Sequence, residues 1–128
     1  MPNVSPKGSL TVWDDHQLAF ANIASPRTMK NIKENPKLEI NTIDQISRRG
    51  FRFKGTGEIF ERGDVFEHVA NDIWNREGRD VPIHVIVKVR VLEAQEVPSP
   101  AYWLKKGVTV EEARQVWAAR FGYKIIPK

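Results

Sequence analysis

Ser25, Arg27 and Thr28 fall close together in the stretch ASPRTMKNIKENPKLEI, residues 24–40. Two hydroxyls and a guanidinium at that spacing can hold a phosphate if a helix begins there. Ser25 suits the N-cap position, and Pro26 suits the first helical position, where its missing N–H leaves no bond unmade. Arg27 and Thr28 then lie in the first turn, among backbone N–H groups without intrahelical partners and at the positive end of the helix dipole. Such a helix start is a seat for an anion. The same residues would also make an ordinary short crossover helix with Arg27 turned to water, and local physics leaves both readings open. Met29, Ile32 and Lys33 give one mixed helical face, and Asn35-Pro36 stops the helix within about three turns.

Other chemistry is thinly represented. His16, His68 and His84 are widely spaced, and none forms a helical pair with a carboxylate, so structural or solvated roles fit them better than metal ligation. No Gly-x-Ser-x-Gly occurs, and Ser47 sits in a polar stretch. Glu111-Glu112 complements the positive end of a helix and is not an acid/base pair. Cysteine is absent, which excludes disulfides, thiolate metal sites and cysteine nucleophiles and suits a reducing compartment. The run Arg48-Arg49-Gly50-Phe51-Arg52-Phe53-Lys54 interleaves cations with aromatics, a pattern that can bind single-stranded nucleic acid. Strand alternation yields the same pattern, with Phe in the core and Arg outside, and is the preferred reading.

The chain of 128 residues is expected to form one domain, residues 1–128, with 41% hydrophobic and 28% charged residues. A formal charge of +4 suits an anionic ligand as well as a nucleic acid. No apolar run approaches the ~20 residues needed to cross a bilayer, and the N-terminus carries no signal-peptide pattern. A cytoplasmic protein with no membrane partner is expected.

The elements that must position these groups follow from periodicity. Asn3 to Val12 reads as a strand interrupted by Pro6-Lys7-Gly8, followed by a turn at Asp14-Asp15. Gln17 to Ile23 is the next strand, and the short helix comes after it. Leu38, Ile40 and Thr42 alternate with Glu39, Asn41 and Ile43, marking a half-buried strand. A polar loop from Asp44 to Gly50 leads into a strand from Phe51 to Phe60. There Phe51 and Phe53 share one face, and Arg52, Lys54, Thr56 and Glu58 share the other. Gly55 and Gly57 within it predict a bulge or the close approach of a backbone or ligand.

A second helix is predicted from Asp64, with Glu67 completing a capping-box-like pair and Gly78 as its stop. It carries Val65, Phe66, Val69, Ala70, Ile73 and Trp74 inward. Ile83, Val85, Val87, Val89 and Val91 line one face of the clearest strand, and His84, Ile86, Lys88, Arg90 and Leu92 the other. A loop from Pro98 to Tyr102 leads to Trp103. The last helix opens with a Thr109/Glu112 capping box, closes at Gly122, and has Val110, Ala113, Trp117 and Phe121 as its apolar stripe. Several strands with few short helices, and no βαβ alternation, predict an α+β, mainly β fold built on an antiparallel barrel.

The segments NVSPKGSL, LAFANIASPRTMKNIKENPKLEI and FRFKGTGEIF resemble the FMN-binding split-barrel family related to pyridoxamine 5'-phosphate oxidase. The resemblance runs from about Pro2 to Phe60, then more weakly through the Val-rich strand and Pro-Ala-Tyr-Trp. Its most specific part is the order strand, Asn-x-x-Ser-x-Arg-Thr, helix, Asn-Pro, strand. It implies a mostly antiparallel, Greek-key-like split β-barrel with FMN as cofactor. Arg27 would be the cationic phosphate ligand, with Ser25 and Thr28 as further donors, and Lys30 either a helper or a solvent-facing cation. Asn22, at the end of the preceding strand, would lie beside the cofactor. Val4, Ser5, Pro6 and Lys7 would form the strand running along the isoalloxazine ring. Lys7 would then approach the N1–C2 carbonyl edge, where a positive charge favours the reduced anion.

The resemblance also implies a homodimer with the flavin at the subunit interface. Trp103, Tyr102 and Trp117 are candidates for the partner's contribution, with core packing the better account of Trp117. Family members usually have a helix and a first strand before the segment that begins here at Pro2. The chain is therefore expected either to be shortened or to close its barrel differently, with an exposed edge that invites pairing. The C-terminal GYKIIPK lacks the Arg-x-His substrate motif, so true pyridoxamine 5'-phosphate oxidase activity is not expected. The leading expectation is a small FMN-dependent oxidoreductase passing hydride or electrons between a reduced nicotinamide nucleotide and an acceptor. Alternatives are a non-catalytic electron carrier or flavin store, a basic barrel binding nucleic acid through Arg48 to Lys54, and deazaflavin- or haem-handling relatives of the same fold.

Overall fold

The computed structural model describes residues 3–104 and 106–126. Pro2, where the resemblance begins, and Pro127 and Lys128 at the C-terminus lie outside the described residues. Its strands are β1 (Thr11–Asp14), β2 (Gln17–Asn22), β3 (Lys37–Ile43), β4 (Arg49–Phe60) and β5 (Val85–Pro98). Its helices are α1 (Pro26–Glu34), α2 (Asp64–Glu77), α3 (Ala101–Leu104) and α4 (Val110–Phe121). The strands form one sheet in the order β1-β2-β5-β4-β3, and β1–β2 and β2–β5 pair antiparallel. This is the expected α+β, mainly β class. Residues up to Glu39 form one compact unit with Lys54–Glu93, and Ile40–Phe53 form a second with the residues from Ala94 onward.

The first unit holds the main core. Ala19 and Ala21 of β2, Ile86 of β5, Val69, Ala70 and Ile73 of α2, and Ile83 form one buried cluster. Period-2 spacing puts Ala19 and Ala21 on one side of β2, while the spacing of Val69, Ala70 and Ile73 makes one stripe on α2. Two alanines on the strand leave room for the larger helix side chains. Trp13, Phe60, Phe66, Trp74 and Val81 pack around the cluster. Phe20 faces the other way, in register with Val87, and both are buried. On β4 a Cβ at Gly57 would meet Leu38, Val87 and Ile32, so the missing side chain lets α1 approach the sheet. The exposed His68 stands edge-on to Trp13, with ring centres 5.1 Å apart.

α2 starts at Asp64, as predicted, but the cap differs. Gly63 is the N-cap, no side chain caps the helix, and Asp64 and Glu67 act only as first-turn charges. A capping box needs its first member outside the helix, and Asp64 lies inside it. Gly78 ends the helix at φ 107, and Trp74 Nε1 donates to Val81 O at 2.9 Å just beyond.

In the second unit, the Asp44 carboxylate organises the turn before β4. Its Oδ1 accepts from Ile46 N at 2.9 Å and from Ser47 N at 3.3 Å. Arg48 takes φ 60 there, and its guanidinium lies 4.2 Å from the Trp117 ring, with Arg120 at 4.6 Å from the same ring. The hydroxyl of Tyr102 donates to Ser47 O. The Ile46 N–H, more than any other group, holds the Asp44 carboxyl below its usual value, against the opposing effect of burial. A depressed carboxylate stabilises the fold above its unfolded pKa and loses that contribution as pH falls through the folded value. Urea midpoints should therefore fall on acidification below about pH 4, and Asp44→Asn, which keeps an acceptor but cannot titrate, should remove part of that decline.

The capping box of α4 is formed as predicted: Glu112 N donates to Thr109 Oγ1 at 3.1 Å, and Thr109 N to Glu112 Oε2 at 3.2 Å. Thr109→Ala should lower unfolding free energy by about 1 kcal/mol, read from a urea titration. Gly122 closes the helix in the left-handed conformation, φ 76.

Several boundaries differ from the sequence reading. The predicted strand Asn3–Val12 is regular only from Thr11, and the second strand ends at Asn22, not Ile23. Pro6 lacks a ladder donor, and the Ser9 hydroxyl takes the place of a neighbouring backbone. It accepts from Ala21 N at 2.9 Å and lies 3.3 Å from Ala21 O. β5 runs past Leu92 to Pro98, and the expected loop Pro98–Tyr102 gives way to helix α3. Phe51 is 38% exposed and stacks on Phe53 at 6.3 Å, so it is not a core residue. Arg49 pairs with Glu96 at 3.4 Å, and Arg52 Nε reaches Asn41 Oδ1 at 3.4 Å. In α4, Ala113 and Ala118 are buried, whereas Val110 and Phe121 are exposed. Periodicity marks a stripe but does not say how much of it another element covers.

Candidate functional site

The site is built where the irregular segment before β1 lies along the start of α1. Ser25 is the N-cap and Pro26 the first helical residue, as the sequence predicts, but the Ser25 side chain makes no cap bond. It accepts instead from Lys7 Nζ at 2.7 Å. An ammonium donor outcompetes a neutral amide for that oxygen. Lys7 Nζ also donates to Ser5 Oγ. Ser5 Oγ lies 3.3 Å from both Ser25 Oγ and Thr28 Oγ1. Asn3 Nδ2 donates to Thr28 Oγ1 at 3.1 Å, and Asn31 Nδ2 to Asn3 Oδ1 at 2.7 Å. The result is a continuous chain from Asn31 through Asn3, Thr28, Ser5 and Lys7 to Ser25. Lys7 is half-buried, with its ammonium 5.9 Å from the Phe20 ring centre, and burial pushes its pKa below the usual lysine value.

Arg27 and Lys30 are exposed on α1, and their side chains have no hydrogen bond or ion pair with the described residues. No acidic residue occurs in the first turn. The N–H groups of Arg27 and Thr28 are first-turn donors without intrahelical acceptors. One ammonium, one guanidinium, three hydroxyls and two amides therefore stand at one helix start without a carboxylate among them. That donor set fits a phosphate. Asn22, at the end of β2, is 8% exposed and its Oδ1 has no partner among the described residues. A buried amide oxygen without a donor costs free energy and calls for one.

The structure thus brings Ser5, Lys7, Ser25 and Thr28 together, with Arg27 on the same turn. Val4 and Pro6 are exposed, and Val4–Lys7 is not the regular strand expected, because among the described residues no strand pairs with it. Trp103 lies in the second unit on α3 and is 66% exposed. Asn3 and Asn31 were not singled out from the sequence. The available signals were the period-2 series Asn3, Ser5, Lys7, Ser9 and the helical spacing of Thr28 and Asn31. Among the described residues, no group of His, Asp and Glu could hold a metal ion, and no helix is long and apolar enough to cross a membrane.

Residues 1–116 match the family profile described as pyridoxamine 5'-phosphate oxidase. The chain belongs to that family. Among solved structures, HupZ of Group A Streptococcus is similar at 31% identity and TM-score 0.66, over 77% of this chain and 76% of HupZ. A provisionally assigned pyridoxamine 5'-phosphate oxidase from Lactobacillus delbrueckii is 25% identical, with TM-score 0.58, over 71% of this chain and 70% of its own. An FMN-binding protein from Syntrophomonas wolfei, 18% identical, shares the fold at TM-score 0.64, over 76% of this chain and 69% of its own. No curated protein matches the sequence. The FMN-binding split-barrel fold implied by the residues is the fold of these relatives.

Proposed function

We propose that this family member binds FMN and acts as a small flavin-dependent oxidoreductase, not as a true pyridoxamine 5'-phosphate oxidase. The observation that carries the reading is the carboxylate-free set of hydroxyls and cations at the start of α1, formed by Ser5, Lys7, Ser25, Arg27 and Thr28. The Arg27 guanidinium and the Thr28 N–H would hold the phosphate, with the Ser25 and Thr28 hydroxyls as further donors and Lys30 one turn away. Asn22 would offer its buried Oδ1 to a donor on the ligand. Bound FMN would supply hydride or one-electron transfer, chemistry that these side chains lack. The likeness to an FMN-binding protein of the same fold supports the choice of cofactor. A cytoplasmic homodimer, with the flavin at the subunit interface and a nicotinamide nucleotide as donor, completes the reading.

The test is the visible spectrum of the purified protein, followed by titration with FMN. A flavin band that stays with the protein and is released as FMN on denaturation is the expected result. No band, and no quenching of FMN fluorescence on titration, would reject the reading; a bound deazaflavin or haem would replace its cofactor. Oxidation of NADH or NADPH with an electron acceptor separates the enzyme from a non-catalytic carrier or flavin store.

A further inference from the structure

We propose that Lys7 is the selectivity residue of this phosphate seat, binding at the phosphate end of the ligand and not at the flavin ring. The inference rests on the flavin-phosphate reading and goes beyond it by assigning Lys7 a different end of the ligand. The Lys7 ammonium is anchored at the helix start: 2.7 Å from the N-cap oxygen of Ser25, bonded to Ser5 Oγ, and linked through Ser5 to Thr28 in the first turn. A phosphate resting on the Arg27 and Thr28 N–H groups would meet that ammonium directly, and one hydroxyl acceptor would be exchanged for a phosphate oxygen. The ring's N1–C2 edge is separated from the phosphate by the whole ribityl chain, so one ammonium cannot serve both.

The surroundings of Lys7 strengthen the argument. Its ammonium is half-buried beside the Phe20 ring, where the attraction between opposite charges exceeds its value in water. Partial burial disfavours the charged lysine, and an incoming phosphate dianion relieves that cost. Neutral hydroxyls can offer hydrogen bonds to a phosphate but cannot balance its charge. Arg27 and Lys7 flank the helix start from its own first turn and from the preceding segment, and together they match a dianion.

The experiment compares wild type with Lys7→Met, which keeps the length and the contact with Phe20, and Lys7→Gln, which keeps a donor for Ser25 but carries no charge. Dissociation constants for FMN and for riboflavin are measured by flavin fluorescence, with the midpoint potential of the bound FMN alongside. The FMN constant should rise about tenfold or more in both variants, the scale of one charge-assisted bond. The riboflavin constant and the potential should not move, and Lys7→Arg should restore most of the FMN preference. Equal weakening for both ligands, or a lowered potential with FMN affinity intact, would overturn the proposal and put Lys7 at the ring. Should wild type bind FMN while neither uncharged variant differs from it, the Lys7 assignment alone fails. Wild type that does not bind FMN removes the underlying reading as well, and this is seen before any variant is made. Melting curves of both variants identify a folding defect, and competition of inorganic phosphate against FMN, weaker in whichever variant folds, provides the second readout.

Discussion

Arg27→Ala is expected to weaken FMN binding by about 2 kcal/mol or more, roughly thirtyfold in dissociation constant, the scale of a lost charge-assisted bond. The side chain is exposed on the first turn of α1 and has no hydrogen bond or ion pair with the described residues. Removing it breaks nothing in the folded chain, so thermal stability without ligand should stay within about 0.5 kcal/mol of wild type. The two readouts therefore separate a ligand effect from a folding effect. Arg27→Lys should fall between wild type and alanine, because a lysine keeps the charge but not the forked donors. Wild-type affinity in Arg27→Ala would place the phosphate elsewhere.

Gly55→Ala should cost about 3 kcal/mol of folding stability, the upper end for overpacking. A Cβ at Gly55 would stand 2.2 Å from Arg90 O and 3.0 Å from Arg90 C. The obstacle is backbone on β5, so no rotamer change relieves it, and the strands must part or the chain must buckle. Gly57→Ala meets the flexible end of Leu38 at 2.8 Å and should cost about half as much. Urea unfolding of both variants decides the order. Equal midpoints would mean that β4 and β5 can separate freely at Gly55. Gly57 carries a further consequence. Ile32 of α1 packs there, so a side chain at residue 57 should push on the helix that carries Arg27 and Thr28. Its effect on FMN affinity should exceed that of Gly55→Ala at matched stability.

Much of the chemistry was legible in short stretches. Ser25, Pro26, Arg27 and Thr28 are adjacent, so cap preference and the fixed φ of proline predict the helix start found there, with a helix dipole that could seat an anion, while an ordinary crossover helix stayed open. The Thr109/Glu112 capping box and the Gly122 stop are equally local and formed as read. Alternation over Leu38 to Ile43 and the valine series of β5 marked the positions of strands, because successive side chains on a strand point to opposite faces of the sheet.

What the sequence by itself determined, then, was the strand-rich class and the helix start with its free donors, which depend on neighbours a few residues apart, and the family, which rests on the order and spacing of motifs along the chain. Only the tertiary structure decided which distant groups join that helix start. Lys7 and Ser25 are eighteen positions apart, and nothing local says that the segment before β1 will lie along α1 and turn its ammonium to the N-cap oxygen. The same holds for Gly55, where the sequence allowed a ligand or a backbone and the pairing of β4 with β5 chose the backbone. It holds also for Phe51, whose alternation suggested a core position but which is 38% exposed. Periodicity records which way a side chain points; what it meets there is set by contacts between segments remote in sequence, whose energies no local pattern encodes.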